Sequence, residues 1–400
     1  MKILFLSNWF PFPPDNGSKI RIYNLIQALA ENHEVTLITF SDQPADEIDF
    51  NEPAPFCRKI HVVARTAYNP KRLRALVGFW ALTPRSLVDT FSVEMRRCIE
   101  STLSTEGYDI VIASQLSMAR YAASFRAYPS LFDEIELGLF SDAYFQAKSI
   151  LPRLRNGLTW TKQIHYIRKL LKDYDACTVV SEAESSLLQR YLPQFQAVEV
   201  IPNAIDLKKY REFDHSDRLE KTLIFTGSFQ YFTNYEAMIW FIGDIYPLVQ
   251  DQIPDIRLMI TGDHANLPLP ADTGVELTGF VDDVRPLIAR SNICVVPLRR
   301  GGGTRLKILE AMALGTPVVS TSKGAEGLDV RDGKHVLIAD TPSTFAQAII
   351  RLIEEPETGL EISENAHKMV VEKYNWSVEK TRFLTLVDTV VSNKKTTATN

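Results

Sequence analysis

Short, continuous apolar runs alternate with segments of helical period along this chain, and the alternation begins twice. Ile3–Leu6 is followed by Ile22, Leu25, Ile26 and Leu29 at helical spacing, then by VTLITF from Val35. YDIVIAS near 108–114, PSLF before Asp133, DACTVVSE near 175–182 and AVEVIP near 197–202 continue the series. Strands this uniformly apolar are buried on both faces, as in parallel sheets covered by helices. After IPNAID the pattern restarts with LIFTG at 223–227, a helical stretch over Tyr235–Leu248, RLMITGD, VELTGF, NICVVPL and PVVST. The expected fold class is therefore α/β, with two Rossmann-like doubly wound domains. The length of 400 residues agrees, since single domains cluster at about 100–200. We expect domains at 1–204 and 205–376, joined through the charge-rich Asp206–Glu220. A helix over about 377–392 should pack back on the first domain, ahead of a frayed polar tail.

Charge and cysteine content narrow the function. A formal charge of -5 disfavours a dedicated nucleic-acid binder, which needs positive surface against phosphate. Cys57, Cys98, Cys177 and Cys294 lie far apart, with neither a disulfide framework nor zinc spacing. The start carries only four consecutive apolar residues before Ser7, short of a secretory core, and no stretch approaches the roughly 20 of a membrane span. A cytoplasmic protein, peripheral at most on the inner face of a membrane, is expected. Two stretches depart from the acidic average. Residues 148–172 and 70–85 contain lysines and arginines but no acid, and in 70–85 these are interleaved with Leu76, Phe79, Trp80 and Leu82. Such segments suit an anionic membrane surface, an anionic soluble acceptor, or an ordinary solvated helix face.

The most informative segment is RRGGGTRLKILEAMALGTPVVST, Arg299–Thr321. It joins a buried strand to a helix expected to begin near Thr304 and to stop at Gly315. Gly301, Gly302 and Gly303 allow close approach of backbone N–H groups to a ligand, and the helix start adds partial positive charge. Arg305 and Lys307 oppose the helix dipole by about 0.3–1 kcal/mol each, so their placement is explained by an incoming anion. Glu310 follows on the same face, about 7–8 Å along the axis from the first free N–H groups, the span from a diphosphate to a ribose.

KILEAMALGTPVVST, the later KGAEGL, the joining VIPNAID and the opening NGSKIRIYNLIQAL together resemble retaining glycosyltransferases of the GT-B fold, family 4 type, over nearly the whole chain. The resemblance implies two domains facing a cleft and a nucleotide-sugar donor, with no metal or other cofactor. It assigns Glu310 to the donor ribose, and Arg305 and Lys307 to the diphosphate. Gly301–Gly303 and Thr304 would border sugar and phosphate. Gly227 and Ser228, after the first strand of the second domain, and Gly17 would also border the donor, and Gly279, Phe280 and Val281 its base. Two departures stand out. Gly302 replaces the first glutamate of the family's Glu-x7-Glu motif, leaving Arg300 or Glu326 to meet the sugar. No cation lies between Gly227 and Glu236, where many members carry an arginine and lysine pair.

On the acceptor side, the loop SNWFPFPPDNG lacks the G-x-G-x-x-G of a dinucleotide-binding turn. It offers Trp9 and Phe10 either as acceptor contacts or as packed anchors. Gln115 stands where some family members carry a histidine near the sugar. Asp133, with Glu134 and Glu136, either orients an acceptor hydroxyl or complements a helix dipole. Asp173 and Asp175 form an Asp-x-Asp, but at a helix end running into a strand, so no metal is expected. The sequence thus predicts a retaining, metal-independent hexosyltransferase acting on a hydroxyl of a glycan or lipid-linked acceptor, in cell-surface polysaccharide or glycolipid synthesis. A nucleotide-sugar-binding scaffold with weakened turnover and another GT-B enzyme such as a nucleotide-sugar epimerase are the alternatives.

Overall fold

The computed structural model describes every residue apart from 15, 44–46, 52–54, 146, 148, 211–217, 271, 302–304 and 400, and the side chains of 139 and 395–399. The chain forms two compact units, Met1–Pro202 together with Lys380–Asn400, and Asn203–Glu379.

The first unit is built on β1 (Lys2–Ser7), β2 (Glu34–Ser41), β3 (Lys59–Ala64), β4 (Ile110–Ser114), β5 (Ser130–Ile135), β6 (Ala176–Val179) and β7 (Val198–Val200). They form one parallel sheet in the order β3-β2-β1-β4-β5-β6-β7. Leu4 lies opposite Thr36 on one side and Val111 on the other, and Leu4, Leu6, Val111 and Phe132 share one core cluster. The apolar runs become strands because both sheet faces are covered. β3 escapes that signal. Its sequence KIHVVA mixes Lys59 and His61 with valines, as an edge strand permits, and pairing with β2 makes it a strand.

The second unit holds β8 (Leu219–Thr226), β9 (Arg257–Thr261), β10 (Val275–Gly279), β11 (Ser291–Val296), β12 (Val318–Ser320) and β13 (Leu337–Ile338), parallel in the order β10-β9-β8-β11-β12-β13. The helix expected over Tyr235–Leu248 is interrupted: an α-helix over Phe232–Trp240 passes through a π turn at Phe241–Ile245 into Tyr246–Gln250. Pro247 lacks the N–H that a regular turn would use, which accounts for the change of winding.

The terminal helix runs from Trp376 to Thr399, past the end expected near 392. From Lys380 onward it belongs to the first unit, where Arg382 Nη2 meets Glu199 Oε1 at 2.7 Å and Lys394 Nζ meets Asp175 Oδ1 at 2.8 Å. Asp173 pairs with Arg126, so both carboxylates of the Asp-x-Asp are held by cations.

Candidate functional site

In an open parallel sheet, ligands bind beyond the carboxyl ends of the strands where the strand order reverses. That point lies between β8 and β11 in the second unit and between β1 and β4 in the first.

At the β8–β11 point the chain turns at Gly227, with φ +144°. The backbone angle favours glycine there, and a Cβ would stand 2.7 Å from Asn234 Nδ2 and 2.9 Å from Lys307 Nζ, so any side chain would displace these two polar groups. Asn234, in the first turn of the Phe232–Trp240 helix, donates from Nδ2 to the Ser228 carbonyl at 2.8 Å. Its Oδ1 accepts from Lys307 Nζ at 3.1 Å. The Lys307 ammonium also lies 4.1 Å from the centroid of the Phe225 ring. Burial, with Arg305 close by, pushes Lys307 down to about 7, although the Cys294 and Glu310 environments oppose the shift.

The helix bearing Lys307 spans Leu306–Ala313, with Arg305 at its N-cap and no acid in its first turn. It begins two residues later than expected from the sequence, because Arg305 has φ -83° and ψ 80°, outside the helical region. Gly315, with φ +66°, follows its end as anticipated. Gly302, Gly303 and Thr304 lie outside the described residues. Gly301, at φ +102°, sits against the Arg305 guanidinium: a Cβ there would be 3.3 Å from Nη2 and 3.4 Å from the Tyr231 hydroxyl.

Glu310 Oε1 accepts a 3.0 Å hydrogen bond from the Tyr210 hydroxyl, and burial raises the Glu310 pKa. Arg300 and Arg299 both lie 3.7 Å from Glu236 Oε1. Ser228 Oγ donates to the Asp263 carbonyl at 3.2 Å and accepts from Gln230 N at 3.1 Å, so its hydroxyl shapes the loop. Gly279 has φ +75°, its carbonyl accepts from Gly262 N at 2.8 Å, and Phe280 and Val281 follow, with Phe280 exposed. Glu326 is exposed and paired with Lys323. The second unit thus brings Arg305, Lys307, Glu310 and Gly227 together. Asn234 and Tyr210, absent from the expected set, join them. They lie 73 and 100 residues from their partners, and no local pattern marks them.

In the first unit, Gly17 opens the Gly17–Ala30 helix, capped by Asn16, whose side chain accepts from Lys19 N. Phe10 is buried against Phe12 and Phe50, which makes it a packing anchor. Trp9 is half-buried beneath the Arg65 guanidinium, 3.8 Å from its ring centroid. Asp133 stands neither at a helix start nor at the surface. It is fully buried within β5, paired with Arg21 Nη2 at 2.7 Å and bonded by Ser114 and Thr178, so its carboxylate serves the core. Gln115 and Glu134 both adopt left-handed backbone, φ +67° and +64°, and Gln115 Nε2 donates to Glu134 Oε2 at 2.9 Å. Burial raises Glu134 to about 8, against the pull of Arg21. Among the described residues, no group of three or more His, Cys, Asp or Glu side chains could hold a metal ion.

An α/β protein with two switch-point sites, one lined by cations at a helix start, is a candidate for nucleotide-dependent group transfer. The family model described as Glycosyltransferase Family 4 matches residues 15–209, and that described as Glycosyl transferases group 1 matches residues 220–355. An uncharacterized 44.6 kDa protein in the cps region of Klebsiella pneumoniae is 22% identical over 393 residues, covering 94% of this chain and 96% of that protein. A phosphatidyl-myo-inositol mannosyltransferase of Mycobacterium tuberculosis is 27% identical over 212 residues, covering 49% of this chain and 55% of the relative. The structure of HepE from Anabaena, solved with UDP and glucose, superposes with a TM-score of 0.66 at 14% identity, covering 97% of this chain and all of HepE. The chain belongs to the group 1, family 4 type of glycosyltransferases, with two Rossmann-like domains of the GT-B class.

Proposed function

We propose that this glycosyltransferase moves a hexose from a nucleoside diphosphate sugar to a hydroxyl of a glycan or lipid-linked acceptor, with retention and without a metal ion. Its setting is cell-surface polysaccharide or glycolipid synthesis. The observation that carries the reading is the Lys307 ammonium held by Asn234 against Gly227, beside Arg305 and the start of an acid-free helix turn. As the bond between the anomeric carbon and the diphosphate oxygen breaks, negative charge grows on the diphosphate. Lys307, Arg305 and the helix N–H groups are already arranged to receive it, so little reorganisation is required. Glu310, oriented by Tyr210, accepts from the ribose hydroxyls. In same-face attack the departing phosphate oxygen takes the acceptor proton, so no protein base is needed.

The mycobacterial relative's name supports a lipid-linked acceptor, the Klebsiella relative's cps region supports a surface polysaccharide, and the HepE complex supports UDP as leaving group. The acceptor unit is read as working at an anionic membrane surface, from the cytoplasmic side. Gly302, in place of a motif glutamate, favours a second reading in which nucleotide-sugars bind without turnover. Incubation with a panel of nucleotide-sugars tests both. Release of free sugar of the donor's own anomeric configuration, followed by NMR, supports the transferase. Nucleotide binding without any sugar release supports the second reading.

A further inference from the structure

We propose that the first unit carries a docking face for the anionic surface of a lipid bilayer, built from the start of the Ile150–Leu170 helix and the turn after the Leu73–Val77 helix. It deepens the reading of a lipid-linked acceptor and rests on it for its purpose, but its evidence is separate. One side of the Ile150–Leu170 helix packs inward through Trp160, Gln163, Ile164, Ile167 and Leu170. The same side fits closely on Tyr144, whose ring would stand 2.8 Å from a Cβ at Gly157. Residues 150–155, ahead of this packing, are exposed all round; Leu151, Leu154 and Leu158, 80, 67 and 53% exposed, lie on the side away from it, with Ile150, 77% exposed, at its margin. At 3.6 residues per turn the three leucines share one face, and Thr161, His165 and Lys169 continue it further along. Single exposed apolar residues on a helix are ordinary, but a contiguous run of them marks a contact surface. This face is aliphatic over its first turns and polar over its last, although both parts are exposed.

The aliphatic end adjoins a second exposed element. Lys162, one turn beyond Leu158, donates from Nζ to the carbonyls of Gly78 and Phe79 at 3.2 and 2.7 Å. From the other side, Arg85 stacks 3.8 Å from the Phe79 ring centroid and donates to the carbonyls of Ala75 and Pro70. The turn is therefore held in place, yet it leaves Trp80 94% and Leu82 68% exposed, beside Leu73 at 76% and Val77 at 57%. A tryptophan fixed outward among aliphatic side chains suits the boundary between headgroups and acyl chains.

Charge identifies the occupant. Neither 70–85 nor 149–172 contains an acid. The nearby Asp89 is buried, with its Oδ2 occupied by Arg72 and the Asn69 amide. Lys71, Arg74, Arg153 and Arg155 are exposed around the apolar surface. An anionic bilayer meets both the apolar and the cationic components. A second copy of the chain across a two-fold axis would set cation against cation.

The test is flotation of the full chain with phosphatidylcholine vesicles, with and without phosphatidylglycerol. We expect flotation with the anionic vesicles, weakened by 0.5 M salt, and at least tenfold less with phosphatidylcholine alone. Trp80→Asp, and separately Leu151→Glu with Leu154→Glu, should lose flotation while nucleotide binding measured without vesicles stays at the wild-type value. That binding measurement separates failure of the docking face from failure of the transferase reading. Unchanged flotation of both variants overturns the proposal, as does equal partition to neutral vesicles. So does concentration-dependent dimerisation abolished by the same substitutions, which would assign the face to a second copy. In the wild-type protein, tryptophan emission should shift to shorter wavelength with anionic vesicles, and the shift should vanish in Trp80→Phe; an unmoved spectrum contradicts the proposal without any need for a charged variant.

Discussion

Burial disfavours the charge of Lys307 and holds its pKa down to about 7. If the proposed diphosphate site is right, arrival of the anion would raise that pKa and bring a proton with it. Nucleotide affinity should therefore be greatest below pH 7 and fall as pH rises above it, by up to about tenfold per pH unit until the pKa of the bound state is reached. Calorimetry in buffers of different ionisation enthalpy would register the proton uptake, and affinity independent of pH between 6.5 and 8.5 would contradict it. Asn234→Ala, which removes the acceptor of Lys307, should weaken nucleotide binding by about 5- to 10-fold. Glu134 obeys the opposite sign. Its folded-state pKa of about 8 exceeds its ordinary 4.5, so its contribution to stability is lost progressively as pH rises from about 4.5 to about 8. Glu134→Gln should gain in Tm over the wild type across that interval, with little difference at pH 4.5.

Between elements, the Arg21–Asp133 pair ties the Gly17–Ala30 helix to β5. Arg21 Nη1 donates to the Ile201 carbonyl at 2.9 Å, and Thr178 on β6 donates to Asp133 Oδ1 at 2.7 Å. Arg21→Met leaves a buried carboxylate without its cation and should cost about 3–5 kcal/mol in denaturant unfolding. Arg21→Met with Asp133→Leu should recover most of that loss. If the single and double variants are equally unstable, packing at Arg21 outweighs the charge pair. Elements of this kind were unequally visible in the sequence. Strands such as β1, β4 and β11 announce themselves because both of their faces are buried, so nearly every residue is apolar. β3 is quiet because an edge position tolerates Lys59 and His61, and the π turn at Phe241–Ile245 is a response to Pro247 within an otherwise helical pattern. The cationic helix start with Arg305, Lys307 and Glu310 was readable because its residues are near neighbours. Asn234 and Tyr210 were not, since only the fold brings them there, and Asp133 was misread because its partner Arg21 lies 112 residues away.

For the whole molecule, the modest charge of -5 hides a division: a cation-lined site in the second unit, and basic apolar surface in the first. The central claim is that the β8–β11 crevice binds a nucleoside diphosphate through Lys307 and Glu310. Isothermal titration of UDP, GDP and ADP into the wild type, Lys307→Ala and Glu310→Ala tests it directly. One nucleotide should bind the wild type clearly more tightly than the other two. Lys307→Ala should weaken it by about 10- to 100-fold, as expected for loss of a charge-assisted contact to phosphate, and Glu310→Ala by about 5- to 50-fold. Wild-type affinity in both variants would contradict the site.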